Sequence, residues 1–369
     1  MDTRDSPEQA ELRRAARQLA RGLGPANVAD LDDATRVKRL AAAVHDAGWL
    51  ELRDDAGDGS PVAGGVEAGI VADALGAAVA DVAFAGPLLA ADLARRAGAG
   101  SASRAVVGFA PDLVSVAVAD RHETSAPVYA PDAGDADVAL VLVRDGDAHR
   151  LGRIRLEREI ERDGADLTRA VQAILVGAPV VDVSGQSRAI TGDDVASWTA
   201  LGLALTAADL VGIMRGVLDV TVEYAKERRQ YGVPVGSFQA VQHLLAEARC
   251  LMEGSLSVAL HASWAVDDLP PSEALAAGRV AKTYCARAAR TVCETAVQVH
   301  GGIGNTWECI VHVYLRRALL SSRWFGDDGE HLRALQRDRL AVGDGAEPLP
   351  EAGRRSGIDH QLEVGDGLP

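Results

Sequence analysis

The spacing of hydrophobic and polar residues divides the chain into three regions. In residues 1–103, apolar residues recur at helical spacing and glycines and prolines mark the joints. In residues 104–190, short β-branched runs alternate with turn sequences, which is typical of a small β domain. From residue 195 to 343 the pattern returns to helix, with longer and more regular stripes. The pattern therefore predicts a mainly α protein with a β domain in the middle.

Each region predicts individual elements. The predicted helices of the first region lie at residues 11–23, 33–49, 65–79 and 82–94. The predicted strands lie at residues 106–109, 114–118, 138–143 and 170–176. Residues 186–194 are interpreted as a linker, and residues 344–369, rich in Gly, Pro and charge, as a flexible tail.

Three long apolar stripes in the last region predict antiparallel helices of a bundle. They run from Leu203 to Ala225, from Val241 to Ala262 and from Ala277 to Val299. Ser272, after two prolines, is the predicted N-cap of the third helix.

Composition and charge exclude several classes of function. The 369 residues suit two or three domains, and 48% hydrophobic with 25% charged residues is ordinary for a soluble protein. A net charge of −15 argues against nucleic acid as a partner. The most apolar run, residues 201–214, is interrupted by Asp209, and the start lacks the apolar core of a signal peptide. We therefore expect a cytoplasmic protein that does not enter a membrane.

The four cysteines do not predict a metal site or a disulfide framework. Cys250, Cys285, Cys293 and Cys309 show no C-x-x-C spacing. Reduced thiols are the expected state of such residues in a cytosolic protein.

The first candidate motif is residues 224–239, where basic residues precede a glycine and a proline. One interpretation is a helix C-terminus, with basic residues at the negative end of the dipole, Gly232 at C′ and Pro234 stopping the helix. The other interpretation is a diphosphate site, because the guanidinium forks of Arg228 and Arg229 can each bind an anion bidentately.

The second candidate motif is the glycine-containing run at residues 298–306. It is either a glycine-capped junction of two helices or a loop whose backbone N–H groups face a ligand. Both motifs fall at corresponding ends of predicted bundle helices. One elongated cofactor could therefore contact both of them.

Residues 226–243 and 296–306 resemble the acyl-CoA dehydrogenase family. The resemblance is strong over about residues 198–340, and the order helix, β, helix extends it weakly over the whole chain. It implies an N-terminal helical domain, a middle β domain and a C-terminal four-helix bundle. It also implies FAD and the oxidation of an acyl-CoA thioester, in which a base removes the α-proton and hydride leaves Cβ for the flavin.

The resemblance assigns binding roles to six residues. Arg228 corresponds to the diphosphate-binding arginine, Tyr231 to an aromatic position beside the cofactor, and Gln239 to a polar contact. Gln298, Gly301 and Gly302 correspond to the loop that holds the adenylate half. In dimers of the family these groups reach a cofactor whose flavin ring lies in the neighbouring subunit.

The chain departs from the family at the catalytic position. Phe325 stands where the usual carboxylate base belongs, and the alternative position near Gly202 and Leu203 has no acid either. Asp327 and Asp209 are the candidate substitutes, although an N-cap and a partnered buried residue are simpler interpretations of them.

The middle region departs from the family as well. It lacks the family's Thr-Glu-Pro and Gly-Ser-Asp signatures, and no tryptophan occurs between Trp49 and Trp198. The tryptophan-containing wall that the family builds beside the flavin ring is therefore missing.

These observations favour a non-catalytic subunit that pairs with a homologous catalytic acyl-CoA dehydrogenase in an α2β2 assembly. The partner would bind most of the acyl-CoA, and sterol-derived thioesters are one candidate class. One alternative is a self-sufficient homomeric enzyme with Asp327 or Asp209 as its base. Another is a flavin-free scaffold that binds CoA thioesters.

Overall fold

The structure is a computed structural model that describes residues 4–100, 102, 104–120, 122–146, 148–156, 164–182 and 187–343. The predicted tail, residues 344–369, and the start of the predicted linker lie outside the described residues. The predicted order of helices, then strands, then helices is confirmed in the described part.

The first region forms the predicted helices with shifted ends. They are α1 (Pro7–Leu23), α2 (Ala34–Asp46), α3 (Gly65–Ala77) and α4 (Ala85–Ala97). Helix α1 begins four residues earlier than predicted, because Ser6 and Gln9 form a reciprocal capping box. Helix α4 continues to Ala97 and stops at Gly98, whose φ of +63° favours glycine.

The middle region forms short strands. They are β1 (Ala105–Val107), β2 (Val118–Ala119), β3 (Val128–Pro131), β4 (Val138–Asp145), β5 (Ala148–Arg155), β6 (Val171–Ile174) and β7 (Val181–Asp182). Strands β1, β4, β5 and β7 are neighbours in that order, β2 also pairs with β4, and β3 pairs with β6 apart from this sheet.

The strand predictions were partly wrong. Strand β5 was missed because its arginines and histidine interrupt the apolar pattern, although Leu151 and Ile154 are buried. The run predicted as a strand at 114–118 enters the sheet only at Val118. The sheet contains long-range pairings that a local pattern does not encode.

The last region is a bundle of long helices with a small hairpin between the first two. The helices are α5 (Gly192–Glu227), α6 (Gln239–Asp268), α7 (Pro271–His300), α8 (Val311–Arg323) and α9 (Asp328–Gly343), and the hairpin strands are β8 (Arg229–Gln230) and β9 (Val233–Pro234). The prediction that Ser272 is the N-cap of α7 was wrong. Pro270 holds that place without a side-chain hydrogen bond, and Pro271 is the first helical residue.

Helix α5 is the central element of the core. It begins within the stretch predicted as a linker, because Thr191 and Asp194 form a capping box. Among the described helices, α5 alone is long and apolar enough to match a membrane span, but 94% of the matching stretch is buried in the structure. The helix packs against α3, α6 and α7, so its apolar surface is accounted for by the core.

Candidate cofactor surface and the expected base position

The two candidate motifs meet at one end of the bundle. Helices α5 and α7 run in the same direction, since each is antiparallel to α6, and their C-terminal ends therefore adjoin. The Tyr224 ring stacks on the His300 ring with centroids 4.2 Å apart. The Tyr224 hydroxyl donates a hydrogen bond of 3.3 Å to the backbone carbonyl of His300. The prediction that both motifs lie at corresponding helix ends is confirmed.

The first motif continues past the helix as a hairpin. Strands β8 and β9 are joined by Tyr231 and Gly232, whose φ values of +52° and +81° match a two-residue type I′ turn. The interpretation of Gly232 as the C′ residue of the helix was therefore wrong, and Pro234 belongs to β9. Tyr231 is 88% exposed and meets Phe238 edge to face at 6.5 Å.

Arg228 has a rigid backbone and a free side chain. Its N–H donates to the Tyr224 carbonyl at 2.8 Å, and its carbonyl accepts from the Val235 N–H at 2.8 Å. The exposed guanidinium has no hydrogen bond or ion pair with any described residue. Gln239, the first residue of α6, is exposed as well.

The second motif ends α7 and opens outward. Gly301 has φ +68° and ψ −145°, a conformation nearly restricted to glycine. A Cβ on Gly301 or Gly302 would meet nothing within 4 Å, so both backbones face open space, and Gln298 is exposed beside them. Gly304 serves packing instead, since its Cβ would lie 2.9 Å from the Val297 carbonyl oxygen. All six predicted cofactor residues are therefore on the surface of one end of the bundle.

His300 packs on the buried side of this loop. It is buried, its Nδ1 lies 2.9 Å from the Ala296 carbonyl oxygen, and burial lowers its pKa although that carbonyl acts the other way. The ring thus stays neutral at physiological pH and forms an uncharged stack with Tyr224.

The expected base position holds a buried ring. Phe325 is 1% exposed and has φ +68°, and its N–H donates to the Leu113 carbonyl at 2.8 Å. A Cβ on Gly202 would lie 2.0 Å from the Phe325 Cζ. The two places where the family carries its base are therefore neighbours here, and the phenyl ring occupies the space above the glycine.

Phe325 is part of a cluster of four rings from the middle and last regions of the chain. Its other members are Phe109 after β1, Trp198 on α5 and Trp324, with ring centroids 5.1–5.9 Å apart in the neighbouring pairs. None of the four is more than 1% exposed, and the Trp198 indole N–H donates to the Leu89 carbonyl at 2.9 Å. Sequence reasoning missed this cluster. The available signal was the scarcity of such rings, since the chain has only four Phe and five Trp.

Asp209 is held in a buried ion-pair network. Its Oδ1 accepts from Arg317 at 2.7 Å and lies 2.9 Å from an Arg169 nitrogen, and its Oδ2 accepts from the Ser321 hydroxyl at 2.7 Å. Burial acts to raise the pKa of Asp209, but the two guanidiniums and the hydrogen bonds outweigh it and hold the pKa below its ordinary value. This environment suits a structural carboxylate better than a proton acceptor.

Asp327 caps a helix. Its Oδ1 accepts from the Glu330 N–H at 2.9 Å, while the Asp327 N–H donates to Glu330 Oε2 at 3.0 Å. This reciprocal pair is the capping box of α9. The simpler interpretation of Asp327 therefore accounts for its contacts.

Sequence reasoning also missed Lys282, which is completely buried on α7. Its Nζ donates to the backbone carbonyls of Ser321 and Trp324, at the C-terminal end of α8. Burial lowers the pKa of Lys282 to about 7. The ammonium group thus satisfies carbonyls that a helix end leaves free, immediately before Phe325.

No group of three or more His, Cys, Asp or Glu side chains that could hold a metal ion occurs among the described residues. All four cysteines are free thiols.

Comparison with known proteins agrees with this geometry. Residues 198–340 match the family model described as "Acyl-CoA dehydrogenase, C-terminal domain". The chain is 37% identical over 188 residues to the acyl-CoA dehydrogenase FadE34 of Mycobacterium tuberculosis, which is 50% of this chain and 24% of that protein. It is 36% identical over 173 residues to the acyl-CoA dehydrogenase IpdE2 of Mycolicibacterium smegmatis, 46% of this chain and 50% of that protein. The chain thus spans half or less of the length of these relatives.

Solved structures share the fold over nearly the whole chain. A Tcur3481–Tcur3483 steroid ACAD variant superposes with a TM-score of 0.77 at 23% identity, covering 92% of this chain and 99% of that one. The ChsE4–ChsE5 complex from Mycobacterium tuberculosis superposes with a TM-score of 0.78 at 22% identity, with the same coverage. Residues 198–340 are therefore an acyl-CoA dehydrogenase C-terminal domain, and the chain as a whole has the fold of these structures.

Proposed function

We propose that this protein is a subunit of an FAD-dependent acyl-CoA dehydrogenase that pairs with a homologous, catalytically complete subunit. It supplies Arg228, Gln239 and the loop at residues 298–302 to an FAD whose flavin ring lies in the partner. The observation that carries the proposal is a contrast between the two ends of the bundle. The cofactor residues are exposed and together at one end, while a buried phenyl ring takes the place of the base at the other.

The exposed residues fit the diphosphate and adenylate half of FAD. Arg228 has a free guanidinium on a fixed backbone, and a guanidinium can form two parallel charge-assisted hydrogen bonds to a diphosphate. Gly301 and Gly302 carry no side chain that would keep a ligand away from the loop backbone, while the Gly301 N–H itself donates to the Gln298 and Val297 carbonyls. Because these groups point to solvent, the remainder of the binding site belongs to a second subunit.

The chain's own pocket does not fit a flavin ring with a base beside it. Phe325 cannot accept a proton, and its ring with Phe109, Trp198 and Trp324 fills the space at the expected base position. Bound FAD would accept hydride from Cβ of the thioester, and removal of the α-proton would fall to a carboxylate of the partner.

The relatives support a two-subunit arrangement. The ChsE4–ChsE5 structure is a complex of two proteins. The Tcur3481–Tcur3483 structure also pairs two proteins, and it is described as a steroid ACAD. The 188 residues matched in FadE34 are 24% of it, so that protein is about twice as long as this chain and has room for two copies of the fold. We therefore propose an α2β2 assembly that acts on a bulky, steroid-like acyl-CoA held mainly by the partner.

The test is FAD retention by the complex that forms when this chain is co-expressed with a homologous, catalytically complete acyl-CoA dehydrogenase subunit. Arg228→Ala removes charge-assisted hydrogen bonds worth about 1.5–3 kcal/mol each. It should weaken FAD retention about ten- to a hundredfold, at about 1.4 kcal/mol per decade. Flavin absorbance after desalting measures retention, and circular dichroism should show unchanged helix content.

Arg249→Ala is the matched control, because Arg249 is an exposed arginine on α6 whose one ion pair among the described residues is with Glu253 on its own helix. Full FAD content in the Arg228→Ala complex would return Arg228 to a helix-capping role. Flavin on the purified single chain would favour the homomeric alternative, and a flavin-free complex would favour the scaffold.

A further inference from the structure

A cleft of about 520 Å³ lies between the N-terminal helices and the middle β domain. One side is formed by α2, by the helical turn at residues 49–51, and by α4 with the residues before it. The other side is formed by the start of β1, the turn after β3 and the residue before β6. None of the described residues that line the cleft comes from residues 187–343, so it is separate from the candidate cofactor surface and from the expected base position. Its volume lies within the range of about 300–1,000 Å³ that is typical of small-molecule sites.

The lining of the cleft is mostly apolar and made of short side chains. Eight of its twenty residues are alanines, and Val44, Ala91, Ala105 and Ala133 are buried. The one ring among these lining residues is that of His45, which is exposed. Such a lining favours an aliphatic ligand, whose apolar surface leaves water on binding, over a flat aromatic ligand that needs a ring to stack on.

Several of the charged residues that line the cleft are balanced by partners within the protein. Asp81 accepts hydrogen bonds from Arg36 through both carboxylate oxygens, at 2.8 and 2.5 Å. Arg104 pairs with Asp137 at 2.6 Å, and the charge of Asp135 acts on Arg104 as well. These groups therefore do not require a ligand of opposite charge.

Glu51 and Asp54, which also line the cleft, form an uncompensated acidic pair. Neither carboxylate has a hydrogen bond or an ion pair with a described residue. Asp54 is half-buried, and burial, followed by the charge of Glu51, raises its pKa. No cation among the described residues counteracts this shift. Two like charges beside an apolar surface are unfavourable, so a cation near both of them would be stabilised.

We propose that this cleft binds a small aliphatic amine, whose hydrocarbon part covers the apolar lining and whose ammonium group contacts Glu51 and Asp54. An ammonium group has three hydrogen-bond donors and a compact charge, so two carboxylates can accept from it at once. A purely apolar ligand would leave the acidic pair uncompensated, and an anion would be repelled by it. The proposal does not depend on the FAD contacts proposed above.

The test is calorimetric titration of the purified full chain at neutral pH with octylammonium, octanol and octanoate, which have the same number of carbons and differ in the charge of the head group. Octylammonium should bind at least about tenfold more tightly than octanol, because its head group forms charge-assisted hydrogen bonds, and octanoate should bind most weakly. The double substitution Glu51→Gln and Asp54→Asn should lower the affinity for octylammonium to that for octanol. Octanol binding should be unchanged in this variant, which also shows that the cleft is intact.

The double substitution Glu11→Gln and Asp32→Asn is the matched control for charge. Both acids are exposed in the first region of the chain, and neither lines the cleft. This variant should keep the preference for octylammonium over octanol, because it lowers the net negative charge by the same amount at a distance from the cleft.

A second pair of variants tests whether the ligand lies in the cleft. Ala41→Leu on α2 places a larger side chain in the cleft and should weaken the binding of octylammonium and of octanol. Ala42→Leu should weaken neither, because Ala42 is exposed on the same helix and does not line the cleft. Absence of octylammonium binding, equal binding of octylammonium and octanol, an unchanged preference in the Glu51 and Asp54 variant, or equal losses in Ala41→Leu and Ala42→Leu would overturn the proposal.

Discussion

At the scale of single residues, the contact between Phe325 and Gly202 explains why the expected base position is filled by a phenyl ring. Phe325 and Gly202 come from distant parts of the chain, and each fits only because of the other. A carboxylate at either position would have to displace a ring that packs against three other buried aromatic side chains. The phenyl ring at position 325 and the glycine at position 202 therefore depend on each other.

A substitution cycle tests this dependence. Gly202→Ala should lower the free energy of unfolding by about 1–3 kcal/mol, since its Cβ would overlap the Phe325 ring. In a Phe325→Ala background the same substitution should cost at least about 1 kcal/mol less, because the clashing atoms are gone. Urea unfolding measures both. Gly212→Ala on the same helix would clash with the Asp73 backbone instead, so its cost should be the same in both backgrounds.

The buried His331 predicts a pH dependence of stability. Its pKa is about 4 in the folded protein against 6.5 for an ordinary histidine. Between these values the unfolded chain binds the proton and the folded protein does not, so stability falls as the pH drops from 6.5 to 4. The contribution is at most about 3 kcal/mol, at 1.36 kcal/mol per pKa unit. His331→Gln should flatten that part of a urea stability–pH curve, whereas exposed His243→Gln should leave it unchanged.

At the scale of elements, the hairpin after α5 gives the cofactor surface its shape. Helix α5 ends at Glu227, and the two-residue turn brings the chain back so that Val235 bonds to Arg228. Gly236 then packs against the last turn of α5, where a Cβ would lie 2.9 Å from the Ala225 carbonyl oxygen. The backbone of Arg228 is thereby fixed from both sides, while its side chain remains available.

Substitutions of Tyr231 in the turn should change the stability of the protein and its retention of FAD independently. Tyr231 is exposed with a positive φ, which asparagine tolerates better than tyrosine. Tyr231→Asn should keep or raise the thermal unfolding midpoint, yet lower FAD retention in the complex because the aromatic contact is lost. Tyr231→Val should lower both, since a β-branched residue fits this conformation poorly. Equal FAD retention in the Asn variant and the unmodified complex would remove Tyr231 from the cofactor site.

At the scale of the whole molecule, the two ends of the bundle have opposite character. One end presents the exposed residues that are predicted to contact the cofactor, and the other is closed around buried aromatic rings. A homodimer of this chain would have two sets of adenylate contacts, but both of its pockets for a flavin ring would be closed. A pair with a complete homologue would instead form one full FAD site.

The isolated chain should therefore turn over no acyl-CoA with a dye acceptor at the roughly 1–1000 per second typical of enzymes. Co-expressed material should have the mass of an α2β2 tetramer with two FAD. Native mass spectrometry and flavin absorbance measure both quantities. Four FAD per tetramer, or an active yellow homotetramer of this chain, would contradict the proposed assembly.

Local features of the sequence were enough to predict the class of fold and to place the two candidate cofactor motifs at helix ends. The apolar stripes of α5, α6 and α7 repeat at helical spacing, and glycines and arginines stand at the helix ends, so neighbours in sequence decide these elements. The prediction of individual elements was wrong where the same local sequence is compatible with two backbone structures. Gly232 suits a helix end and a hairpin turn equally, and the contact of Gly236 with α5 is not visible in the sequence.

The sequence by itself determined the helical periods, the positions of the two candidate cofactor motifs and the absence of a carboxylate at position 325. Only the tertiary structure decided that Phe325 covers Gly202, that Asp209 is paired with two arginines, and that Arg279 and Arg333 line one cleft. The physical reason is that close packing and charge pairing depend on which distant residues share a volume. That information arises when the helices pack, since the spacing of residues along one helix does not contain it.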